Sequence, residues 1–151
     1  MEDREALIEY LKHMIAHEHA IVKAAKETVK DIKSEFVKQL IESISLDSLK
    51  HALLFNSIIT YMTSESPFIS EDQRDEIGKK IKEHIKLENE AIRGLSEKLP
   101  QIVDPNVETM IRYILTDERR HHRLLRQIYS YVNQEETLTT EVLWKLMFKE
   151  V

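Results

Sequence analysis

Residues 7 to 62 and residues 77 to 132 carry one pattern twice, seventy positions apart and without a gap. Leu7 falls on Ile77, Leu11 on Ile81, Met14 on His84, Glu18 on Glu88 and Ala25 on Leu95. Val37 falls on Val107, Ile41 on Ile111, Ile44 on Ile114, Ser48 on Glu118, His51 on His121, Phe55 on Leu125, Ile58 on Ile128 and Met62 on Val132. Asp47 and Asp117 align as well. Within each segment the apolar positions alternate four and three apart, which lines one face of an α-helix. A repeated pair of such helices predicts an all-α fold, a four-helix bundle built from a duplicated helix hairpin.

The composition agrees. Two Gly and three Pro in 151 residues leave few helix breakers, and this length suits one domain, residues 1–151, with a real core. The net charge of -5 is spread over interleaved acids and bases, so no basic patch points to nucleic acid. No run of eighteen apolar residues suggests a membrane span, and Met1-Glu-Asp-Arg-Glu5 does not read as a signal peptide, so a cytoplasmic protein is expected. With no cysteine, disulfides, thiolate nucleophiles and Cys-ligated metal centres are excluded.

Breaks in the pattern place the elements. A first helix is expected from about Asp3 to Ile32 and a second from about Glu35 to Met62. Pro67 interrupts the chain, and Ser70-Glu-Asp-Gln73 reads as a capping box for a third helix that Gly78 weakens. Pro100 closes that helix. Asp104 caps the fourth, with Pro105 at its first position, and the bundle ends near residue 133. A short C-terminal helix over 138–150 follows, with Val142, Leu143, Leu146 and Met147 beside Trp144. It is expected to pack on the bundle or on another subunit, in a homodimer or higher homo-oligomer.

The seam is not uniformly apolar. Glu18, Ser48, His51, His84, Glu88, Glu118 and His121 interrupt it, at one level about halfway along each helix. Unpaired buried charges cost several kcal/mol, and three carboxylates sharing a core repel one another unless cations hold them. A mixed carboxylate and imidazole set suits iron or manganese, with zinc as a further candidate. His13, His17 and His19 flank the seam on other faces and read as partly exposed histidines.

At these positions the chain resembles the ferritin-like superfamily, nearest to rubrerythrin-type and bacterioferritin-type di-iron proteins. Their pattern is Glu on helix one, Glu-x-x-His on helix two, Glu on helix three and Glu-x-x-His on helix four. Here it reads Glu18, Ser48-x-x-His51, Glu88 and Glu118-x-x-His121, so five of six ligand positions match. The resemblance covers roughly residues 3 to 132. It implies a metal site of Glu18, His51, Glu88, Glu118 and His121 that holds one or two iron ions. It further implies an oxidase- or peroxidase-like oxidoreductase that reacts with dioxygen or peroxide and takes electrons from a separate donor. Iron storage with ferroxidase activity, or a degenerate single-metal site without catalysis, are the alternatives. Tyr10 and Tyr113 read as packing residues, with a redox role second.

Three departures stand out. Ser48 replaces a carboxylate that commonly bridges two metals, leaving Asp47 or His84 as candidate substitutes. There is no cysteine-rich electron-transfer module. The connection between the second and third helices is also short for the family's long crossover. That crossover is nevertheless expected, on the view that residues 71 to 77 form a separate turn and the long helix begins near Gly78.

Overall fold

The computed structural model of the protein describes residues 4–63 and 71–132. Every regular element among them is helical: α1 (Arg4–Thr28), α2 (Glu35–Thr63), α3 (Glu71–Lys98) and α4 (Pro105–Val132). The Ser70 cap, the Pro67 break and the C-terminal helix over 138–150 lie outside the described residues.

The chain divides into two compact units, Met1–Pro67 and Phe68–Val151. In the first, α1 packs on α2; in the second, α3 packs on α4. Each hairpin turns the same way. A single 3-10 turn, Val29–Asp31 or Leu99–Gln101, ends the first helix where a longer α-helix to Ile32 was expected. Ile32 and Ile102 then extend, at φ -85° ψ 126° and φ -84° ψ 120°, and break the helical backbone. Three residues later the second helix begins on a side-chain cap. Ser34 Oγ accepts from the Val37 amide at 3.4 Å, and Asp104 Oδ1 accepts from the Asn106 and Val107 amides at 2.8 and 3.2 Å. The helix ends, the turn and the cap thus recur seventy residues on.

The rows that meet inside each hairpin are turned slightly from the four-three seam. α2 buries Ser45, Ser48 and Ala52 against α1, which buries Leu11, Glu18 and Val22. Seam residues Val37 and Ile44 stay 39% and 58% exposed, and their counterparts Val107 and Ile114 46% and 41%, while Leu115 is buried. The reason is geometric. A residue adjacent to the seam lies 100° around the helix, so a contact centred on the row 45-48-52 leaves Val37 and Ile44 to one side of it.

α3 runs unbroken from Glu71, so residues 71 to 77 are not a separate turn and the long helix does not begin at Gly78. Gly78 is buried inside the helix. A mid-helix glycine costs about 1 kcal/mol relative to alanine, too little to end a helix of this length. Tyr10 and Tyr113 are 57% and 63% exposed, so neither packs into its own hairpin. No helix among the described residues is long and apolar enough to cross a membrane.

Candidate metal centre

In the first hairpin, the middle of α1 presents Glu18, with its side chain only 11% exposed. His51 reaches it from α2, with Nδ1 3.3 Å from Glu18 Oε1, and keeps half of its own surface open. Ser48, one turn before His51, is buried. Asp47, the neighbour in sequence, is half-buried and pairs with a lysine of its own helix. Its Oδ1 lies 2.6 Å from Lys50 Nζ in an ion pair on the hairpin surface.

The second hairpin is more heavily furnished. Glu88 from α3 meets Glu118 and His121 from α4, one ligand atom of each lying within 4.8 Å of the others. Glu88 is 12% exposed and Glu118 26% by side chain, whereas His121 is 47% exposed. His84, one turn before Glu88, brings Nε2 to 3.4 Å from Glu88 Oε1, and His121 Nδ1 stands 4.0 Å from Glu118 Oε2. Glu-x-x-His on α4 works because residues three apart share a helix face, so both donors point at the carboxylate of α3.

The electrostatics are those of crowded acids. Glu118 holds its proton above the ordinary glutamate range. A hydrogen bond with the Glu88 carboxyl is the main cause, followed by burial and repulsion from Glu88, with His121 pulling the other way. One proton between two carboxyls can satisfy only part of their acceptor capacity. Glu88 Oε2 is accordingly buried without a hydrogen-bond partner. A buried carboxylate oxygen with no donor is costly. Three ligand atoms held about 2.1 Å from one ion and equally spaced around it are at most about 3.6 Å apart, so side-chain rotation must draw this cluster somewhat closer to close on a cation.

His122 escapes a reading of the seam. It occupies the position of Ala52 in the first hairpin, on the row that faces the partner helix, and its Nδ1 is buried without a hydrogen-bond partner. The signal that could have found it is the buried row 45-48-52, carried forward by seventy.

The expected ligands therefore fall into two groups: Glu18 with His51 in the first unit, and Glu88 with Glu118 and His121 in the second, His84 standing beside Glu88. The chain matches no family model, no curated protein and no solved structure.

Proposed function

We propose that this is a metal-binding ferritin-like protein whose mid-helix carboxylates and histidines hold non-haem iron for reaction with dioxygen or peroxide. The observation that carries the reading is the convergence of Glu88, Glu118 and His121, with Glu88 Oε2 buried and unsatisfied. Two carboxylates and an imidazole suit iron or manganese, and a cation would take over the role of the proton that Glu88 and burial make Glu118 hold more tightly.

In this reading each of the duplicated hairpins contributes ligands from the middle of its helices. Glu88, Glu118 and His121 hold the principal ion, while Glu18 and His51 supply a second, weaker position. Bound iron would supply the redox chemistry, cycling between two oxidation states as an oxidant is reduced. The residues of the chain hold the ion, set its charge with carboxylates and keep water out through the flanking apolar positions. Electrons come from a separate donor. A cytoplasmic homo-oligomer is the setting this reading favours.

One observation favours a second reading, a single-metal site without catalysis. Ser48, at 5% exposure, brings no charge to the position of its counterpart Glu118, and a neutral hydroxyl is a poor ligand beside carboxylate and imidazole.

Metal analysis of protein purified without added metal, followed by ferrous loading in air under an optical spectrometer, tests both. Iron binding with growth of a ferric absorption band is expected. Tight binding with no spectral change selects the second reading, and no ferrous binding refutes both. Chelation supplies a further check. Metal that binds only the folded state adds about 4 kcal/mol at a thousandfold excess over Kd, so chelator should lower the melting temperature by roughly 10 °C.

A further inference from the structure

α1 carries a second set of imidazoles that the seam does not use. His13 and His17 are four residues apart on one helix and both are exposed. No hydrogen bond or ion pair among the described residues engages either ring. Their neighbour one turn earlier, Glu9, is engaged in an ion pair, its Oε1 accepting from Lys12 Nζ at 2.7 Å. Glu18 follows His17 directly but lies 100° around the helix, on the face buried against α2.

We propose that His13 and His17 form a separate two-imidazole site for a divalent transition-metal ion of the copper, nickel or zinc class. The geometry is that of a helix. Residues at i and i+4 place their Cβ atoms about 5–6 Å apart, and side chains lean towards the N-terminus, so His17 stands over the turn that bears His13. Two imidazole nitrogens on adjacent positions of an ion, each about 2.1 Å from it, are about 3 Å apart, a separation these two side chains span by rotation about χ1 and χ2. Water completes the coordination. Imidazole donors without a carboxylate favour the later first-row ions, copper above all, over the iron and manganese favoured by the acid-rich seam. His19 is two residues from His17, faces another direction and cannot join the pair.

The repeat isolates the feature. The positions seventy residues on are Glu83 and Leu87, so the second hairpin lacks the pair although it copies the surrounding helix. The pair therefore belongs to this surface of the first hairpin and not to the seam pattern that both hairpins share.

The test is calorimetric titration of the full chain with Ni2+, after chelator treatment and gel filtration, for the unmodified protein and for His13→Gln, His17→Gln and His19→Gln. The expected result is one fewer ion per chain, or at least tenfold weaker binding at one site, in the first two variants and no change in the third. Ferrous loading should be unaltered in all of them, which separates this site from the seam. Equal titrations for all four proteins, or a loss in His19→Gln as large as in the others, overturns the proposal.

Discussion

The two hairpins share one scaffold and differ in what fills it. Helix boundaries, turn and cap recur at seventy residues, yet the row that α2 turns towards α1 is Ser45, Ser48 and Ala52, while α4 carries Leu115, Glu118 and His122. Three small residues of α2 thus line the contact with α1, which buries a single acid, Glu18. In the second hairpin the row carries a buried leucine, and two acids, Glu88 and Glu118, stand with the imidazoles of His84, His121 and His122. The comparison teaches that backbone repetition and chemical repetition are separable. The first hairpin is arranged for packing. The second retains charges that cost free energy when no cation is present, which is the imbalance expected if cation binding rests chiefly on the second.

The largest expected effect follows from removing the best-placed acid. Glu118→Ala deletes one of three converging ligands and leaves Glu88 Oε2 without either a cation or a neighbouring carboxyl. Bound metal should fall by about a hundredfold in affinity, equivalent to about 2.7 kcal/mol. Glu18→Ala should weaken binding much less, because it removes a ligand from the sparser group. Equilibrium dialysis with ferrous or manganous ion measures both, and a larger loss in Glu18→Ala would invert the comparison between the hairpins.

Making the first hairpin resemble the second is the converse test. Ser48→Glu places a carboxylate where exposure is 5%, beside Glu18. Without metal, this uncompensated charge should destabilise the protein by about 2 kcal/mol, read from urea unfolding. With ferrous or manganous ion present, stability should recover and the number of bound ions rise. Recovery without additional metal would mean that the new acid is neutralised by protonation or by His51, and that the first hairpin cannot hold an ion even with the full ligand pattern.

How much of this was legible in the sequence depends on the scale. The four helices were readable, because apolar spacing, Asp104 with Pro105, and the breaks at residues 32–34 and 102–104 act locally, whereas the 3-10 turn that ends α1 at Thr28 and the unbroken start of α3 at Glu71 were not. Glu118 and His121 stood out because they interrupt an otherwise apolar row, and Glu88 because it aligns with Glu18. The direction in which each row turns was not readable. Ser45 and Ile44 differ by one position, and only the packing of α1 against α2 decides that the serine is covered and the isoleucine left open. Asp47 illustrates the same limit. Its proximity in sequence to Ser48 suggested a substitute ligand, but it pairs with Lys50, three residues on. His122 was hidden because it falls beside the seam, and sequence spacing alone does not show that its Nδ1 is buried.

Acidity offers a test confined to the second hairpin. Glu118 keeps its proton to higher pH in the folded chain than the ordinary glutamate range, chiefly through Glu88. In the interval from that range up to the raised value, the folded state binds more protons than the unfolded chain, so stability falls as pH rises across it. Metal-free protein should therefore lose stability as pH rises from the ordinary glutamate range through the raised value of Glu118, and Glu88→Gln should remove much of that slope. Metal-loaded protein should show the opposite trend, because the ion requires deprotonated carboxylates and competes better as pH rises. Unfolding curves with and without chelator across this interval measure both slopes, and parallel slopes would dissociate the acid pair from the metal.

The smallest difference concerns how firmly each turn starts its second helix. Asp104 Oδ1 accepts two amide hydrogens, from Asn106 at 2.8 Å and Val107 at 3.2 Å, with a negative charge at the positive end of α4. Ser34 Oγ accepts one, from Val37, at 3.4 Å, near the limit for a useful bond. A helix N-cap contributes about 1 kcal/mol on average, more for a charged acceptor with good geometry and less for a long neutral one. Asp104→Ala should accordingly cost about 1 kcal/mol and Ser34→Ala less than half of that. The two turns share their backbone course, so the difference isolates the cap from the rest of the hairpin. Hydrogen exchange resolves it by position: amides in the first turn of α4 should lose protection in Asp104→Ala, while those of α2 in Ser34→Ala should change little. Equal losses in both would mean that the extended residues Ile32 and Ile102, and not the capping side chains, set where the second helix of each hairpin begins.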